Sequence, residues 1–199
     1  MSLPERDSSP PGNDDHPLLF VDLDGTLVSN DTLHASLWRL LLRRPWMVIW
    51  LPIWVLGGKA YFKDRVAIVA TDLLGPLPYR DEVLRYVQAE VGEGRGVVLA
   101  TAANFRIADK VAADLGLFTA VMASDRNLNL SGERKLAKIQ TYCDGRTFAY
   151  MGDHRNDIPI WLAARRAIVV GAAKHLCEQI ATVPEVVVLT PGPEPRPGK

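Results

Sequence analysis

The sequence predicts an α/β fold built on a parallel sheet, and two patterns support that prediction. Short apolar runs of strand type alternate with helical stretches, as in parallel sheets with right-handed crossovers. Most of these runs contain no polar residue, which is expected of strands buried on both faces. The predicted strands are 18–21, 97–100, 120–123, 148–151 and 167–170, with 186–189 as a candidate sixth. The helical stretches between the later strands are 106–115, 134–142 and 158–164.

The alternation of strands and helices is interrupted between positions 28 and 95. This region contains no good strand but has helical stretches at 59–74 and 79–91, and Asn30 or Asp31 can cap an earlier helix that runs to Leu42. We expect residues 28–95 to form a helical insert over the strand ends. Residues 17–27 and 96–190 would then form the core.

Both ends of the chain have a composition unlike that of a folded core. Residues 1–16 are rich in Pro, Ser, Asp and Gly, so they are predicted to be disordered. Residues 191–199 contain four prolines and are typical of a tail or a semi-rigid linker.

The overall composition limits the classes of function. With 199 residues, of which 48% are hydrophobic, the chain can bury one core plus a small insert. The 23 basic and 23 acidic residues balance, which argues against nucleic acid as a partner and against broad electrostatic capture of anionic lipid, although a local charged patch could survive the zero sum. The two cysteines lack metal-site spacing and favour a reducing compartment, and residues 1–16 lack the apolar stretch of a signal peptide. These features predict a cytoplasmic protein.

Pairs of acidic residues follow the first and the fourth predicted strands. Asp22 and Asp24 come directly after one, and Asp153 and Asp157 after the other. Ligands of parallel sheets bind beyond the carboxyl ends of the strands. An acidic turn and a helix cap would explain each pair separately, but their joint position favours a hard-cation site. An octahedral all-oxygen site with retained waters suits Mg²⁺ better than zinc.

Two further residues follow the other strands. Thr101 comes after the second strand, where a lone Thr is usually a helix cap. Beside the acidic pairs, its hydroxyl and the backbone amides that follow, from Ala102 on, are candidates for holding phosphate oxygens. Lys135, near the start of a helix after the third strand, would add a positive charge, and Lys138 is the competing candidate.

These motifs, in this order, resemble those of the haloacid dehalogenase superfamily of phosphohydrolases. The residues that carry the resemblance are Asp22-x-Asp24-Gly25-Thr26, Thr101, Lys135 and Gly152-Asp153-x-x-x-Asp157. The insert looks like the C1-type cap of the phosphoserine phosphatase-like branch. The resemblance implies a three-layer Rossmann-like core, a small helical cap and Mg²⁺-dependent phosphatase activity. The preference for Lys135 over Lys138 rests on the family's spacing.

The resemblance also implies a role for each site residue. Asp22 would be the nucleophile that forms an aspartyl-phosphate. Asp24 would be the general acid and base, and would offer the metal its backbone carbonyl. Asp153 would bind the metal directly, and Asp157 directly or through water. Thr101 and Lys135 would stabilise charge on the transferring phosphoryl group.

A narrower resemblance is to the phosphatase-type domain that precedes UbiA-type prenyltransferases in some bacterial fusions. It rests on residues 27–46, 99–104 and 161–172. It implies a small or prenyl-linked phosphate as substrate, and a peripheral association with a membrane or a prenyltransferase. The alternative function is an accessory domain with little or no turnover. The sequence leaves the oligomeric state open.

The stretch 46–56 is apolar throughout but too short to span a membrane, which takes about 20 residues. Burial inside the cap or in a partner contact is favoured, because the stretch is apolar on every face. Contact with lipid is the alternative, since aromatic and basic residues are typical of membrane interfaces. Those residues are Trp46, Trp50 and Trp54, flanked by Arg43, Arg44 and Lys59.

Overall fold

The computed structural model describes residues 17–29, 42, 46, 49, 51–70, 77–171 and 174–190. The segments predicted to be disordered or linker-like, 1–16 and 191–199, lie outside the described residues. Most of the predicted helix ending at Leu42 also lies outside them.

A single sheet of six parallel strands forms the centre of the molecule. Its strands are β1 (Leu18–Val21), β2 (Val97–Asn104), β3 (Ala120–Ser124), β4 (Phe148–Gly152), β5 (Arg166–Val170) and β6 (Glu185–Leu189). They lie in the order β3-β2-β1-β4-β5-β6. The predicted α/β class and all six predicted strands are therefore confirmed. Because the strand order reverses at β1, a crevice is expected beside the carboxyl end of that strand.

Seven helices are described, together with a 3₁₀ turn at Arg155–Asp157. They are α1 (Leu51–Leu56), α2 (Lys59–Ala70), α3 (Asp81–Gly92), α4 (Phe105–Leu115), α5 (Glu133–Cys143), α6 (Ile158–Ala163) and α7 (Lys174–Gln179). The predicted helices after the second strand agree with α4, α5 and α6 to within a residue. Among the described helices, none combines the length and apolar character needed to cross a bilayer.

Apolar side chains cover both faces of the sheet, so the core has three layers. On one face, Leu19 and Val97 pack in a cluster with Val87 of α3 and Ile107 of α4. On the other, Phe20 packs in a cluster that includes Ile139 of α5 and Trp161 of α6. Successive residues of β1 thus point to opposite layers, as the pleat of a strand requires.

Helix α3 belongs to the packed core, although the sequence assigns it to the insert 28–95. Its fully buried Val83 and Val87 lie in the same cluster as Leu19 of β1. The apolar side chains recur four residues apart and form one face, and the helix leads directly into β2 as a crossover helix does. The division into core and insert remains a prediction, and we propose that the insert ends before α3.

Helix α1 is exposed over most of its surface. Trp54 is buried, but Ile53, Val55 and Leu56 are each more than half exposed. The described part of the cap therefore does not bury these three side chains, and burial in a partner contact stays a prediction. The six-residue helix packs against α2, and the guanidinium of Arg65 lies 5.7 Å from the ring centroid of Trp54.

Candidate active site

The loop after β1 places Asp22 at the switch point of the sheet. The Asp22 backbone N–H donates to the carbonyl of Met151 at 2.9 Å, which ties the end of β1 to β4. The chain then turns at Gly25, whose φ of 80° favours glycine. A Cβ at that position would overlap the carboxylate of Asp153. The glycine of the sequence motif therefore lets the two acidic loops approach each other closely.

Three carboxylates from two neighbouring strands meet in this crevice. One oxygen each from Asp22, Asp153 and Asp157 lies within 4.8 Å of the others. Thr26 Oγ1 donates to Asp153 Oδ1 at 2.9 Å, which fixes the orientation of that carboxylate. The arrangement brings together three of the four predicted metal ligands. The half-buried Asp24 follows in the same loop, and its side chain is not in this group.

The donor set fits a hard divalent cation. All three groups offer carboxylate oxygen, the ligand type that Mg²⁺ prefers. Oδ1 of Asp22 is buried, and its charged neighbour among the described residues is Lys135 Nζ at 3.1 Å. A bound cation would offset the repulsion among the three carboxylates, which one lysine does not neutralise.

Lys135 supplies the positive charge of the site. Its side chain is buried, and Nζ lies 3.1 Å from Asp22 Oδ1 and 3.5 Å from Asp157 Oδ1. Lys138, one turn further along α5, is exposed. The geometry thus supports Lys135 over Lys138. Three carboxylates around one ammonium leave the metal-free site with an excess of negative charge.

Tyr150 is a site residue that the sequence analysis did not identify. Its hydroxyl accepts a hydrogen bond from Lys135 Nζ at 2.7 Å and donates one to Asp157 Oδ1 at 2.8 Å. The residue lies within the apolar strand β4, where a tyrosine resembles an ordinary core residue. The sequence signal that could have identified Tyr150 is its hydroxyl group, which stands three positions before Asp153.

Local contacts also orient Asp157 and the loop after β1. Asp157 Oδ2 accepts from the His154 backbone N–H at 3.4 Å, and His154 Nδ1 accepts from the Asn156 N–H at 3.2 Å. This reciprocal capping starts the 3₁₀ turn at Arg155–Asp157. Arg80, just before α3, donates from Nε to the Gly25 carbonyl at 3.2 Å. Arg80 is a second residue that the sequence analysis did not single out.

Burial dominates the acid–base properties of the site. It raises the pKa of Asp22 from 3.8 to about 7, against the opposing effect of Lys135. Burial also raises the pKa of Asp153, although the hydrogen bond from Thr26 opposes this shift. For Lys135, burial alone would lower the pKa, but Asp22 and Asp157 outweigh it and the net shift is upward. The metal-free site therefore tends to hold an extra proton near neutral pH.

Thr101 and Ala102 lie inside β2 and not after its end. The pairing of β2 with β3 shifts register between Ala100 and Asn104, so the strand is irregular where these residues lie. Thr101 is fully buried, and its Oγ1 accepts from the Ala103 N–H at 2.9 Å. The side chain of Asn104 caps α4 by accepting from the Arg106 N–H. The helix cap is thus Asn104, three residues after the threonine.

The fold and the crevice together define an α/β protein with an acidic, cation-suited site at the switch point of a parallel sheet. The sequence profile of the haloacid dehalogenase-like hydrolases matches residues 19–161. This match covers more than half of the chain, so the protein belongs to the haloacid dehalogenase-like hydrolase family.

A relative of known sequence matches most of this chain. An uncharacterised protein of Sinorhizobium fredii, y4nM, is 37% identical over 155 residues, which are 77% of this chain. The match covers 30% of that relative, so the chain spans less than a third of the relative's length.

Solved structures share the fold at low sequence identity. A Bordetella pertussis protein of unknown function has a TM-score of 0.62 at 17% identity, covering 86% of this chain and 98% of that one. A substrate-bound phosphoserine phosphatase has a TM-score of 0.58 at 16% identity, covering 86% of this chain and 92% of the phosphatase.

Proposed function

We propose that the chain is a Mg²⁺-dependent phosphomonoester hydrolase that acts through an aspartyl-phosphate on Asp22. The observation that carries this proposal is the buried Lys135, whose Nζ lies beside both Asp22 and Asp157. The buried ammonium lies at the switch point of the sheet, among carboxylates. Once a bound metal cation offsets the charge of these carboxylates, the ammonium can bind the dianionic phosphate group of a substrate. Membership of the hydrolase family and the likeness in fold to phosphoserine phosphatase support the same conclusion.

Asp22 is proposed as the nucleophile. One of its oxygens bonds to phosphorus while the bond between phosphorus and the leaving oxygen breaks. The carboxylate must be ionised for this attack, and Lys135 favours ionisation in a site where burial opposes it. Mg²⁺, held by Asp22, Asp153 and Asp157, would supply further positive charge against the phosphoryl oxygens.

Asp24 is proposed as the acid and base that balances the protons. In the first step its carboxyl proton passes to the leaving oxygen, which departs as an alcohol. In the second step Asp24 takes a proton from water while the water oxygen attacks phosphorus. Inorganic phosphate and the free Asp22 carboxylate result. Asp24 is suited to this exchange because it is less buried than Asp22.

Thr101, Ala102 and Lys135 are proposed to hold the phosphoryl oxygens. The irregular part of β2 carries the first two residues, and Lys135 contributes its charge from α5. Donors fixed in advance stabilise developing charge without the reorganisation that water would need.

We propose a small or lipid-linked phosphate as the substrate class. A second candidate function is that of an accessory domain attached to a membrane prenyltransferase. Two observations favour the accessory role: the curated relative is more than three times as long as the matched region, and residues 191–199 have the composition of a linker. The intact set of acids favours turnover.

A phosphate-release assay with and without Mg²⁺ separates the two functions. A generic aryl phosphate and a panel of phosphometabolites that includes prenyl phosphates would serve as substrates. We expect Mg²⁺-dependent release, abolished by chelation and restored when the metal is added back. If folded protein loaded with Mg²⁺ released phosphate from none of them, the accessory role would replace the enzymatic one.

A further inference from the structure

Arg80 contacts the loop that carries Asp24 through both its backbone and its side chain. Its backbone N–H donates to the Leu27 carbonyl at 3.0 Å, and its Nε donates to the Gly25 carbonyl at 3.2 Å. The residue stands directly before α3, a helix that packs in the core. Two hydrogen bonds from one residue therefore hold this loop from outside.

The backbone of Arg80 is itself held by the pairing of two short segments. Val28 forms an antiparallel bridge with Tyr79, and the Ser29 N–H donates to the Pro78 carbonyl at 3.0 Å. One segment follows the loop after β1, and the other precedes α3. Because this pairing fixes the backbone at Arg80, its side chain extends from a well-defined point.

The carbonyl that Arg80 contacts belongs to the peptide unit between Gly25 and Thr26. Asp24, the proposed acid and base, directly precedes this unit. Thr26 follows it, and the Thr26 hydroxyl donates to Asp153 Oδ1 at 2.9 Å. A shift of this peptide unit would therefore displace the proposed acid and also the hydroxyl that orients a proposed metal ligand.

Gly25 is the point of the loop where a contact from outside matters most. Its φ of 80° suits glycine, but glycine also has the widest choice of other conformations. A Cβ at this position would overlap the carboxylate of Asp153, so a stiffer residue does not fit. Within the loop, the Gly25 N–H donates to the Val28 carbonyl at 2.8 Å. The bond from Arg80 restricts the next peptide unit, which the glycine itself leaves free to turn.

We propose that Arg80 is a positioning residue for Asp24, because its guanidinium holds the loop in the conformation that brings the Asp24 carboxyl group to the leaving oxygen. The inference rests on the proposed function, in which Asp24 protonates that oxygen. A general acid acts only within hydrogen-bond reach of the atom that it protonates. A displacement of about 1 Å can lower a rate by about 100-fold. Arg80 acts through the loop and exchanges no proton.

The dependence of kcat/KM on the leaving group tests this role. Aryl phosphates from p-nitrophenyl phosphate to phenyl phosphate are compared in the presence of Mg²⁺, because nitrophenolate leaves readily without a proton and phenolate does not. We expect Arg80→Ala to lower kcat/KM for phenyl phosphate by about 10- to 100-fold. The loss for p-nitrophenyl phosphate should be much smaller. A purely structural effect would lower both values alike.

Arg85→Ala is the matched control. The exposed Arg85 of α3 also donates from Nε to a backbone carbonyl at 3.2 Å, but its acceptor is Asp81 at the start of the same helix. We expect this variant to keep the leaving-group dependence of the unaltered chain. Arg80→Lys should recover part of the activity on phenyl phosphate, since an ammonium can still donate to a carbonyl.

Amide hydrogen exchange examines the loop without turnover. In Arg80→Ala, the N–H groups of Gly25 and Val28 should exchange about 2- to 10-fold faster, as expected from the loss of one hydrogen bond. Arg85→Ala should leave their exchange unchanged. Circular dichroism checks the folding of each variant. If Arg80→Ala did not fold, Arg80→Met would replace it, since methionine keeps most of the side-chain length without a donor.

Three results would overturn the inference and leave the proposed function intact. One is unchanged exchange at Gly25 and Val28 in Arg80→Ala. Another is an equal loss of kcat/KM for all leaving groups, and the third is a loss in Arg85→Ala as large as that in Arg80→Ala. Failure of the proposed function is recognised separately, because the unaltered chain would then release no phosphate, and the role toward Asp24 would be refuted with it.

Discussion

Lys135 illustrates how a single buried cation can organise several acids. Its ammonium contacts two carboxylates that reach the crevice from β1 and from the loop after β4, and Tyr150 supplies a third oxygen. A buried lysine with no partner would lose its charge, but here the neighbouring acids raise its pKa. The residue therefore keeps a positive charge at the point where a phosphoryl group is proposed to bind.

The role of Asp22 is tested by Asp22→Asn. The amide has nearly the same shape but cannot act as a carboxylate nucleophile. We expect phosphate release to fall by at least about a thousandfold with the fold unchanged. Asp125→Asn is the control, because the exposed Asp125 accepts from the Asn127 and Leu128 backbone N–H groups, which an amide oxygen can still do. Turnover by Asp22→Asn equal to that of the control would remove Asp22 from the mechanism.

Tyr150→Phe tests the hydroxyl that links Lys135 to Asp157. The phenylalanine fills the same space but removes one acceptor and one donor. Loss of such an outer contact typically weakens metal binding by about 10- to 100-fold, and we expect Mg²⁺ affinity in calorimetry to fall by that amount. Tyr142→Phe, at a half-buried tyrosine of α5, is the control. Unchanged affinity in Tyr150→Phe would show that the hydroxyl does not position Asp157.

The raised pKa of Asp22 predicts how the stability of the metal-free protein depends on pH. The pKa is about 7 in the folded protein and 3.8 for the ordinary carboxyl group, so between these values the folded state binds more protons than the unfolded state. The free energy of unfolding should therefore decrease as pH rises through this window. Urea titrations of chelated protein measure it, and Asp22→Asn should show a shallower decrease. A stability that rises across the window would contradict the burial effect.

The acids of the site could be predicted from the sequence, because they follow apolar strands at a spacing that few other structures require. Tyr150 could not be predicted, because its strand is buried and apolar on both faces of the sheet. Its hydroxyl belongs to the site through its contact with Lys135 of α5, which the sequence alone does not show. The end of the second strand was predicted at Ala100, four residues before Asn104, so Thr101 was expected after the strand and lies within it. Alanine and threonine continue β2 to Asn104, and only the register shift marks the change.

Helices α1 and α3 have opposite relations to the core, although both lie within the predicted insert. Val87 of α3 is fully buried, whereas Val55 of α1 is 57% exposed. Val87→Ala should therefore lower the free energy of unfolding by about 2 kcal/mol, through lost burial and a residual cavity. Val55→Ala should change it by less than about 0.5 kcal/mol. Equal effects in urea titrations would show that α1 and α3 pack alike.

The sequence predicted elements well where local pattern and burial agree. The unbroken apolar runs identified the six strands, and the four-residue spacing on α3 identified a helix. The same local pattern does not indicate whether a helix packs on the sheet of the core or belongs to the insert. Val83 and Val87 look like residues of an insert when read along the chain, and only the fold shows that they cover β1 and β2.

At the scale of the whole molecule, cation binding should couple to global stability. The proposed Mg²⁺ site exists only in the folded state, so Mg²⁺ should raise the melting temperature in proportion to the logarithm of its concentration. Asp153→Asn should abolish this shift, because it removes one carboxylate from the cluster. Scanning calorimetry with and without Mg²⁺ measures the effect. A shift that persists in Asp153→Asn would place the stabilising cation elsewhere.

The position of β1 has a consequence for how the protein is made. The first strand of the described chain lies in the middle of the sheet, and the hydrogen bond from Thr26 to Asp153 joins residues 127 positions apart. A ribosome adding 5–20 residues per second needs roughly 6–25 s to synthesise that interval. Through this time β1 has no β4 beside it, and the newborn chain must keep an apolar strand from aggregating. The acids therefore meet only after β4 has been synthesised, when β1 to β4 can pair.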